Sequence, residues 1–503
     1  MLFPWQSTLF EFSAQLTAGF VLAILVLIGG ISIYNLGIHP LAAIPGPKFY
    51  ALSDLPHIRD LASGRWPFIL QKFHEQYGPV VRFGPNDVSF ISPEAWKDIY
   101  GFRTATKKLF PKDLRLYRGT LTKSTNILIA NDADHSRMRR LLAHAFSEKA
   151  LRSQEGIMEM YVSKLIFALR DRSGKNVDGA VVDISKWYNF LTFDVLGDLA
   201  FGESFGCLDG GEYHPWVQII FSGFKLSSYI QAIRRHPYTL GVLGFFLPHE
   251  LIRRATDHQK MSFEKAKIRA ERGPGDHPDF MSYILRHTDE HQMTPDEIGE
   301  NANILIVAGS ETTATLLSGV TFWLLKNPAV YQKLVKEVRE SFQNEGDITL
   351  QSVAQLPYLL AALKEGLRMY PPIPSGLPRL VPDGGAFIDG NFLAEKTSVS
   401  VSHWATYRSS SNFTLPDLFI PERWLDDPRF ANDRPDALQP FSYGPRNCLG
   451  INLAYAEMRL ALTRILYNFD LQLHHDSLSW NEQDIYVFWH KGALNVKLTN
   501  RPT

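Results

Sequence analysis

Apolar residues run almost without interruption through the first part of the chain. No Asp, Glu, Lys or Arg occurs between Glu11 and Lys48, and residues 16–38 are nearly all apolar. Such a run suffices for a helix that crosses a hydrocarbon core of about 30 Å, which takes roughly 20 residues. A cleaved signal peptide would have a basic start and a shorter apolar run. The pattern therefore predicts an uncleaved transmembrane anchor helix over 16–38.

The residues around this helix predict its orientation. Positive charge returns only after it, beginning with Lys48 and Arg59, and the positive-inside bias then places the main body in the cytosol. Residues 1–15 are predicted to lie on the luminal side. Residues 39–50 are rich in proline, which predicts a stiff, non-helical hinge before the main body over 51–503.

Beyond the hinge, apolar periodicity is mainly helical. It is typical of helices from Asp134 to about Leu367. Short runs typical of strands occur at 80–83, 88–91, 397–401 and 493–498. Long helices with a few small sheets predict a mainly α fold.

One long helix has clear start and stop residues. Thr294 is a good N-cap, Pro295 suits the first helical position, and Glu297 completes a capping box. The helical pattern runs to Lys326, where Asn327-Pro328 ends it. Its apolar residues lie on almost every face, so we expect it to be buried along most of its length.

The middle of this helix is polar. Gly309, Ser310, Glu311, Thr312 and Thr313 interrupt the apolar run. A buried carboxylate is costly unless it is paired or solvated. Either this face reaches solvent, or Glu311 and Thr312 line a wet functional cavity; the residues alone leave both interpretations open.

A second helix is predicted over Pro357–Met369, because Pro371-Pro372 follows it. Glu365 and Arg368 stand three residues apart and share one face of this helix. By itself the pair would be interpreted as an ordinary surface ion pair.

Composition excludes several classes of protein. The 503 residues contain only two cysteines, Cys207 and Cys448, which argues against a disulfide scaffold and a Cys-only zinc site. The 52 basic and 52 acidic residues balance, so net charge gives no reason to expect nucleic acid as a partner.

The stretch around Cys448 carries the chemistry. Cys448 immediately precedes a helical pattern, and the positive end of a helix favours the thiolate that binds metal. Gly444 and Gly450 permit tight turns and the close approach of a flat cofactor, and Arg446 offers a charge to a carboxylate. Cys207 has no such surroundings and is interpreted as a buried small apolar residue.

This stretch matches the haem-binding signature of cytochromes P450, Phe-x-x-Gly-x-Arg-x-Cys-x-Gly, at every fixed position from 441 to 450. Three further family motifs follow the expected order: Ala308–Thr313, Glu365-x-x-Arg368 and Pro421-Glu-Arg-Trp424. The chain resembles microsomal P450s over essentially its whole length. Segments 376–379, 404–408 and 452–459 are similar to filamentous-fungal P450s of secondary metabolism, of the isotrichodermin-hydroxylase kind.

The resemblance implies the P450 fold, a triangular prism of helices with small sheets, and haem b as cofactor. It implies that the Cys448 thiolate is the axial iron ligand, which favours O–O cleavage. Thr312 and Glu311 would position and protonate the distal oxygen. Glu365, Arg368 and Arg423 would form a buried structural network.

Other residues are assigned by the same resemblance. The cofactor-binding set is His135, Arg139, Arg379, Phe441, Gly444, Arg446 and Gly450, with the basic members facing the haem propionates. His135 stands where the family usually has Trp. The substrate pocket would include Ala308, Ile373, Leu377 and Phe488, which suits a hydrophobic substrate.

The family function implied is a monooxygenase that hydroxylates or epoxidises a secondary metabolite. Electrons would come from an NADPH–cytochrome P450 reductase on the endoplasmic reticulum membrane, docking through Lys107, Lys108 and Arg140, with cytochrome b5 as an optional second donor. Two alternatives stay open: a haem-thiolate isomerase or dehydratase that does not need O2, and a non-catalytic membrane-bound carrier of haem or lipid.

Overall fold

The computed structural model describes residues 4–102, 104, 108–117, 124–174, 179–235, 249–273, 277–285 and 293–501. The helices are α1 (Pro4–Ile33), α2 (Lys48–Leu52), α3 (Leu55–Ala62), α4 (Trp66–Tyr77), α5 (Pro93–Tyr100), α6 (Leu114–Tyr117), α7 (Asp132–Ala143), α8 (Glu148–Ser173), α9 (Ile184–Phe201), α10 (Cys207–Gly210), α11 (Pro215–Arg234), α12 (His249–Glu271), α13 (Phe280–Leu285), α14 (Pro295–Lys326), α15 (Pro328–Ser341), α16 (Leu350–Val353), α17 (Pro357–Met369), α18 (His403–Arg408) and α19 (Ile451–Asn468). The predicted mainly α fold is confirmed.

The strands are β1 (Val80–Gly84), β2 (Asp87–Phe90), β3 (Ala180–Asp183), β4 (Arg379–Leu380), β5 (Ala386–Ile388), β6 (Asn391–Leu393), β7 (Ser398–Val401), β8 (Phe469–Leu473) and β9 (Asn495–Asn500). In the described part of the chain they form a four-stranded sheet in the order β1-β2-β7-β4, a three-stranded sheet in the order β3-β9-β8, and the hairpin β5-β6. β2 and β7 are parallel, and this pairing joins segments that are far apart in the sequence. The four predicted strand regions are confirmed within two residues at each boundary.

Helix α14 is the centre of the core. It begins and ends where predicted: Thr294 is the N-cap, Glu297 closes the capping box, and Lys326 is the last helical residue. α14 packs on α9, which is buried over almost its whole length, and on α12, α17 and α19. A helix surrounded in this way can present residues to a site only where its neighbours leave a gap.

The N-terminal helix differs from the prediction in its limits. α1 begins at Pro4 and continues as a π-helix over Tyr34–Ile38. In the described chain, two helical stretches are long and apolar enough to cross a membrane, Gln15–Ile38 and Pro295–Lys326. The second is α14, which is buried in the core. Only the first is therefore a candidate anchor.

The proline-rich segment after α1 packs against the catalytic body. The Arg82 backbone N–H donates to the Pro45 carbonyl at 2.8 Å, and Nη1 of Arg82 donates to the Asn35 carbonyl at 2.8 Å. A Cβ at Gly46 would lie 2.0 Å from the Arg82 oxygen, so only glycine permits this approach. The segment is non-helical only as far as Pro47, because α2 begins at Lys48.

Candidate functional site

The loop over 441–450 holds Cys448 directly before α19. The Cys448 backbone N–H donates to the Phe441 carbonyl at 2.8 Å, which closes the loop, and the Phe441 ring packs against Tyr455 with ring centroids 5.4 Å apart. Cys448 is exposed, whereas Cys207 is buried. The loop thus presents one accessible sulfur at the N-terminal end of a long helix.

The surroundings of Cys448 act on its charge in both directions. Desolvation by the surrounding protein raises the pKa of the thiol, while the Gly450 backbone N–H and Arg139 lower it. Arg139 reaches this position because Nη1 donates to the Asn447 carbonyl at 2.7 Å and Nη2 to the Asn447 side chain at 2.5 Å. Arg139, predicted to face a propionate, therefore holds the cysteine loop in this structure.

The two signature glycines have different roles. Gly444 has φ +76°, and a Cβ there would lie 2.0 Å from the Tyr100 carbonyl oxygen, so the fold itself requires glycine. A Cβ at Gly450 would meet no atom nearer than the Phe146 ring at 3.8 Å. The protein leaves room beside Gly450, which is the room that a flat cofactor needs.

Basic residues lie beside this loop, and few acidic residues pair with them. Nη2 of Arg446 donates to the Ala130 carbonyl at 2.9 Å and to Asp132 at 2.7 Å. Its buried Nη1 has no hydrogen-bond partner among the described residues. Arg379 is buried over the Tyr100 ring, and its Nε also lacks a partner. Two buried guanidinium groups thus keep donors unused.

Lys112 and His135 belong to the same cluster. Burial, followed by Arg379 and Arg446, lowers the pKa of Lys112 to about 6. Burial, followed by Arg446 and Lys112, lowers the pKa of His135 to about 3. Asp132 is the acid that opposes these shifts. We call Lys112, His135, Arg379 and Arg446 the cation cluster; its excess of positive charge suits a bound dianion.

Glu365, Arg368 and Arg423 do meet in the core, as the family motif implied. Arg368 binds Glu365 with Nη2 at 2.7 Å and Nε at 3.0 Å, and Nε of Arg423 lies 3.1 Å from the same carboxylate. The Ile420 backbone and the Trp424 indole each donate to it at 2.9 Å. Although burial opposes ionisation, these partners hold the pKa of Glu365 below its ordinary value.

A cavity of about 420 Å³ lies beside the centre of α14. Thr312 lines it, together with all four predicted pocket residues, Ala308, Ile373, Leu377 and Phe488. The Thr312 hydroxyl donates to the Ala308 carbonyl at 2.6 Å. Most of the other lining residues are apolar. The cavity therefore fits a hydrophobic molecule next to a single hydroxyl of the helix.

Glu311 does not line this cavity with Thr312, and it does not reach solvent either, so neither of the two interpretations left open by the residues describes it. Neighbouring residues of an α-helix point about 100° apart, because one turn takes 3.6 residues. Glu311 is buried on its own side of α14, where it pairs with Lys491 and accepts from Thr315 at 3.2 Å. Burial raises the pKa of Glu311, and Lys491 and Thr315 oppose that shift.

Sequence reasoning missed Lys112, Lys491 and the buried Glu457. Glu457 on α19 accepts from Thr313, and burial raises its pKa to about 8. Lys491 lies 180 residues after its partner Glu311. Lys112 and Lys491 belong to no local pattern, so no motif could have found them. Arg137 pairs with Glu297 at 2.6 Å and so takes no part in the site.

The residues present fit a haem. A thiol is accessible, the side of the loop at Gly450 is open, and the cation cluster holds unused donors. Sulfur ligation of iron and charge pairing of two carboxylates are the two interactions that such a group requires.

Comparison with known proteins gives the same family. The cytochrome P450 family model matches residues 45–495. Cytochrome P450 monooxygenase astJ of Aspergillus oryzae is 44% identical over 472 residues, covering 93% of this chain and 94% of that protein. Cytochrome P450 monooxygenase astA of Talaromyces wortmannii is 46% identical over 470 residues, covering 93% of this chain and 94% of that protein.

A third relative carries a more specific name. The trichothecene C-4 hydroxylase of Trichoderma arundinaceum is 45% identical over 484 residues, covering 93% of this chain and 94% of that protein. The predicted family and its fungal branch are confirmed by these matches. The chain therefore belongs to the cytochrome P450 family and is a monooxygenase of the kind found in fungal secondary metabolism.

Proposed function

We propose that this monooxygenase inserts one oxygen atom from O2 into a hydrophobic secondary metabolite, by hydroxylation or epoxidation, as a biosynthetic tailoring step. The observation that carries the proposal is the accessible Cys448 beside a cation cluster with unused donors. The mainly apolar cavity at Thr312 supports a hydrophobic substrate. The relative named as a trichothecene hydroxylase supports hydroxylation of a comparable fungal product.

On the cysteine side, the chain's task is to bind and orient the cofactor. We propose that the Cys448 thiolate would bind the iron of haem b, which would supply the O2-activating chemistry when bound. Arg379 and Arg446 would donate to its carboxylates through the nitrogens that now lack partners. Lys112 and His135 would complete the cluster, and Phe441, Gly444 and Gly450 would shape the loop.

On the cavity side, the chain's task is to place a proton. The Thr312 hydroxyl faces the cavity and is anchored by the Ala308 carbonyl. Glu311 is one residue away along α14, but it is held by Lys491. We assign Thr312 as the hydroxyl that would place a proton at the reacting end of the cavity, and Glu311 as the neighbouring acid that would supply that proton.

The chain needs electrons from a partner. We propose an NADPH–cytochrome P450 reductase, with cytochrome b5 as an optional second donor, on the endoplasmic reticulum membrane. Residues 16–38 would anchor the protein, with 1–15 luminal and the 51–503 body cytosolic. Of the basic residues expected to dock the reductase, Lys108 and Arg140 are exposed, and Lys107 lies outside the described residues.

The test is the CO difference spectrum of the reduced protein, for wild type, Cys448→Ala and the matched control Cys207→Ala. We expect a strongly red-shifted Soret band that only Cys448→Ala abolishes. A band that survives Cys448→Ala would refute thiolate ligation by this residue. NADPH-dependent consumption of O2 with a reductase would separate a monooxygenase from a haem-thiolate isomerase or a carrier.

A further inference from the structure

Charged residues form part of the wall of the cavity at Thr312, although most of that wall is apolar. Arg115 and Arg235 line the cavity together with Asp113. Nη2 of Arg115 lies 2.7 Å from Asp113 and 2.9 Å from Asp87. The charged side chains are therefore joined to one another, and they form a single polar patch on the wall.

The same patch includes two further ion pairs. Nη1 of Arg235 lies 3.0 Å from Asp54 and 3.2 Å from Asp87, so Asp87 sits between both guanidinium groups. We call Asp54, Asp87, Asp113, Arg115 and Arg235 the polar pole. Asp54 directly precedes α3, Asp87 belongs to β2, and Arg235 directly follows α11, so the pole connects these three elements beside the cavity.

The polar pole has no excess of positive charge. It contains three carboxylates and two guanidinium groups. If all are ionised, the net charge is negative by one; if Asp54 is protonated, the pole is neutral. Burial raises the pKa of Asp54, which favours the neutral state. A carboxylate on a substrate would therefore find no uncompensated cation here.

The pole nevertheless offers hydrogen-bond donors. Arg115 uses Nε and Nη2 on Asp113 and Asp87, and in the described part of the chain its Nη1 donates to no residue. Ser400 also lines the cavity, two residues along β7 from Ser398, which donates to Asp113 at 2.8 Å. Alternate residues of a strand share a face, so Ser398 and Ser400 lie on the same side.

We propose that this polar pole is a substrate subsite that recognises a neutral oxygen, a carbonyl or hydroxyl, on an otherwise apolar molecule. Arg115 donates from Nη1, and Ser400 is the neighbouring hydroxyl. The inference rests on the proposed function, since it places the substrate of that reaction. A molecule held at the pole by its oxygen would present a different, apolar part of its skeleton to Thr312.

The experiment uses the haem-loaded full chain and three probes of matched length: methyl undecyl ketone, n-tridecane and tridecanoate. Affinities are read from the shift of the Soret band on binding. The variants are Arg115→Lys, which keeps a charge for Asp113 but loses the forked donor, and the control Arg137→Lys. Arg137 also bridges two carboxylates, Asp134 and Glu297, but it does not line the cavity.

We expect Arg115→Lys to weaken binding of the ketone by roughly tenfold, the effect of one hydrogen bond to a charged group. Binding of tridecane should change by less than about twofold, since its contacts are with the apolar wall. Arg137→Lys should alter neither affinity. In wild type, the ketone should bind more tightly than tridecanoate, because the pole lacks excess positive charge.

Equal changes for ketone and tridecane in Arg115→Lys would overturn the subsite, as would tighter binding of tridecanoate. A wild-type protein with a normal CO difference spectrum that shows no response to the ketone would also overturn it, while leaving the proposed function intact. Absence of the CO band in wild type would overturn both. If Arg115→Lys does not retain haem, the affinity of Ser400→Ala for the ketone is measured in its place.

Discussion

The protein buries charge in two opposite ways. Around Glu365, both carboxylate oxygens are bound by two guanidinium groups, a backbone N–H and an indole, and the acid stays ionised. In the cation cluster, Arg379 and Arg446 each keep a buried nitrogen without a partner. The first group is complete within the chain, whereas the second lacks the negative charge that would balance it.

The difference separates residues that hold the fold from residues reserved for a ligand. Removing one partner from a complete buried pair leaves the other as an unpaired buried charge, which destabilises the folded protein. An incomplete cluster already bears that cost in the isolated chain, and a bound anion relieves it. Mutations in the two groups should therefore change folding and haem retention in different directions.

The largest effect is expected for Glu365→Gln. This change leaves Arg368 without its buried counter-charge, whereas Arg423 keeps its ion pair with Asp433. Loss of one partner from a buried pair costs about 3–5 kcal/mol. We expect a fall of that order in the free energy of unfolding of the full chain in urea. The control is Glu94→Gln, which breaks an exposed pair with Arg434 and should cost less than about 1 kcal/mol. Equal losses in the two variants would contradict the distinction.

The elements of the fold were predictable because their causes are local. Thr294, Pro295 and Glu297 fix the start of α14 through a capping box, and the prolines after Met369 end α17. The start of α1 at Pro4 was not found, because hydropathy marks the apolar part of a helix and not its cap. The sheet order also depends on contacts between distant strands.

The candidate site was predictable only where a motif stands in continuous sequence. The cysteine loop and the Glu365–Arg368 pair are of this kind. Lys491 reaches Glu311 from a segment 180 residues away, and Lys112 joins Arg379 through a bridge between distant backbones. The orientation of Glu311 depends on which neighbours surround α14, and no pattern of residues within the helix determines that.

The second prediction concerns Arg379→Met. The change removes a buried cation that lacks an anionic partner, so the free energy of unfolding of the haem-free chain should not fall. Haem should dissociate roughly 10–100 times faster, because a charge-assisted bond to a carboxylate is lost, at about 1.4 kcal/mol per tenfold. Transfer of haem to an excess of apomyoglobin measures the rate, and urea unfolding measures the stability.

The comparison variant is Arg368→Met, which removes the same side chain from the complete group. It should destabilise the haem-free chain, because Glu365 loses its closest partner at 2.7 Å. If Arg379→Met destabilised the haem-free chain as much as Arg368→Met, Arg379 would be a structural residue. The cation cluster would then lose its role as a reserved anion site.

The smallest effect is expected for Glu457→Gln, and it is seen in how the free energy of unfolding depends on pH. Both Glu457 and Glu365 are buried, but Glu457 is bound by one hydroxyl, that of Thr313, and not by guanidinium groups. Burial therefore raises the pKa of Glu457 from 4.5 to about 8. Between these values the folded chain keeps a proton that the unfolded chain releases. Stability should therefore fall as pH rises, by at most about 1.4 kcal/mol per unit, and level off above the folded pKa. Urea unfolding at pH 6 and 7 should show that Glu457→Gln removes this contribution; an unchanged slope would mean that Glu457 is ionised in the folded protein, as Glu365 is.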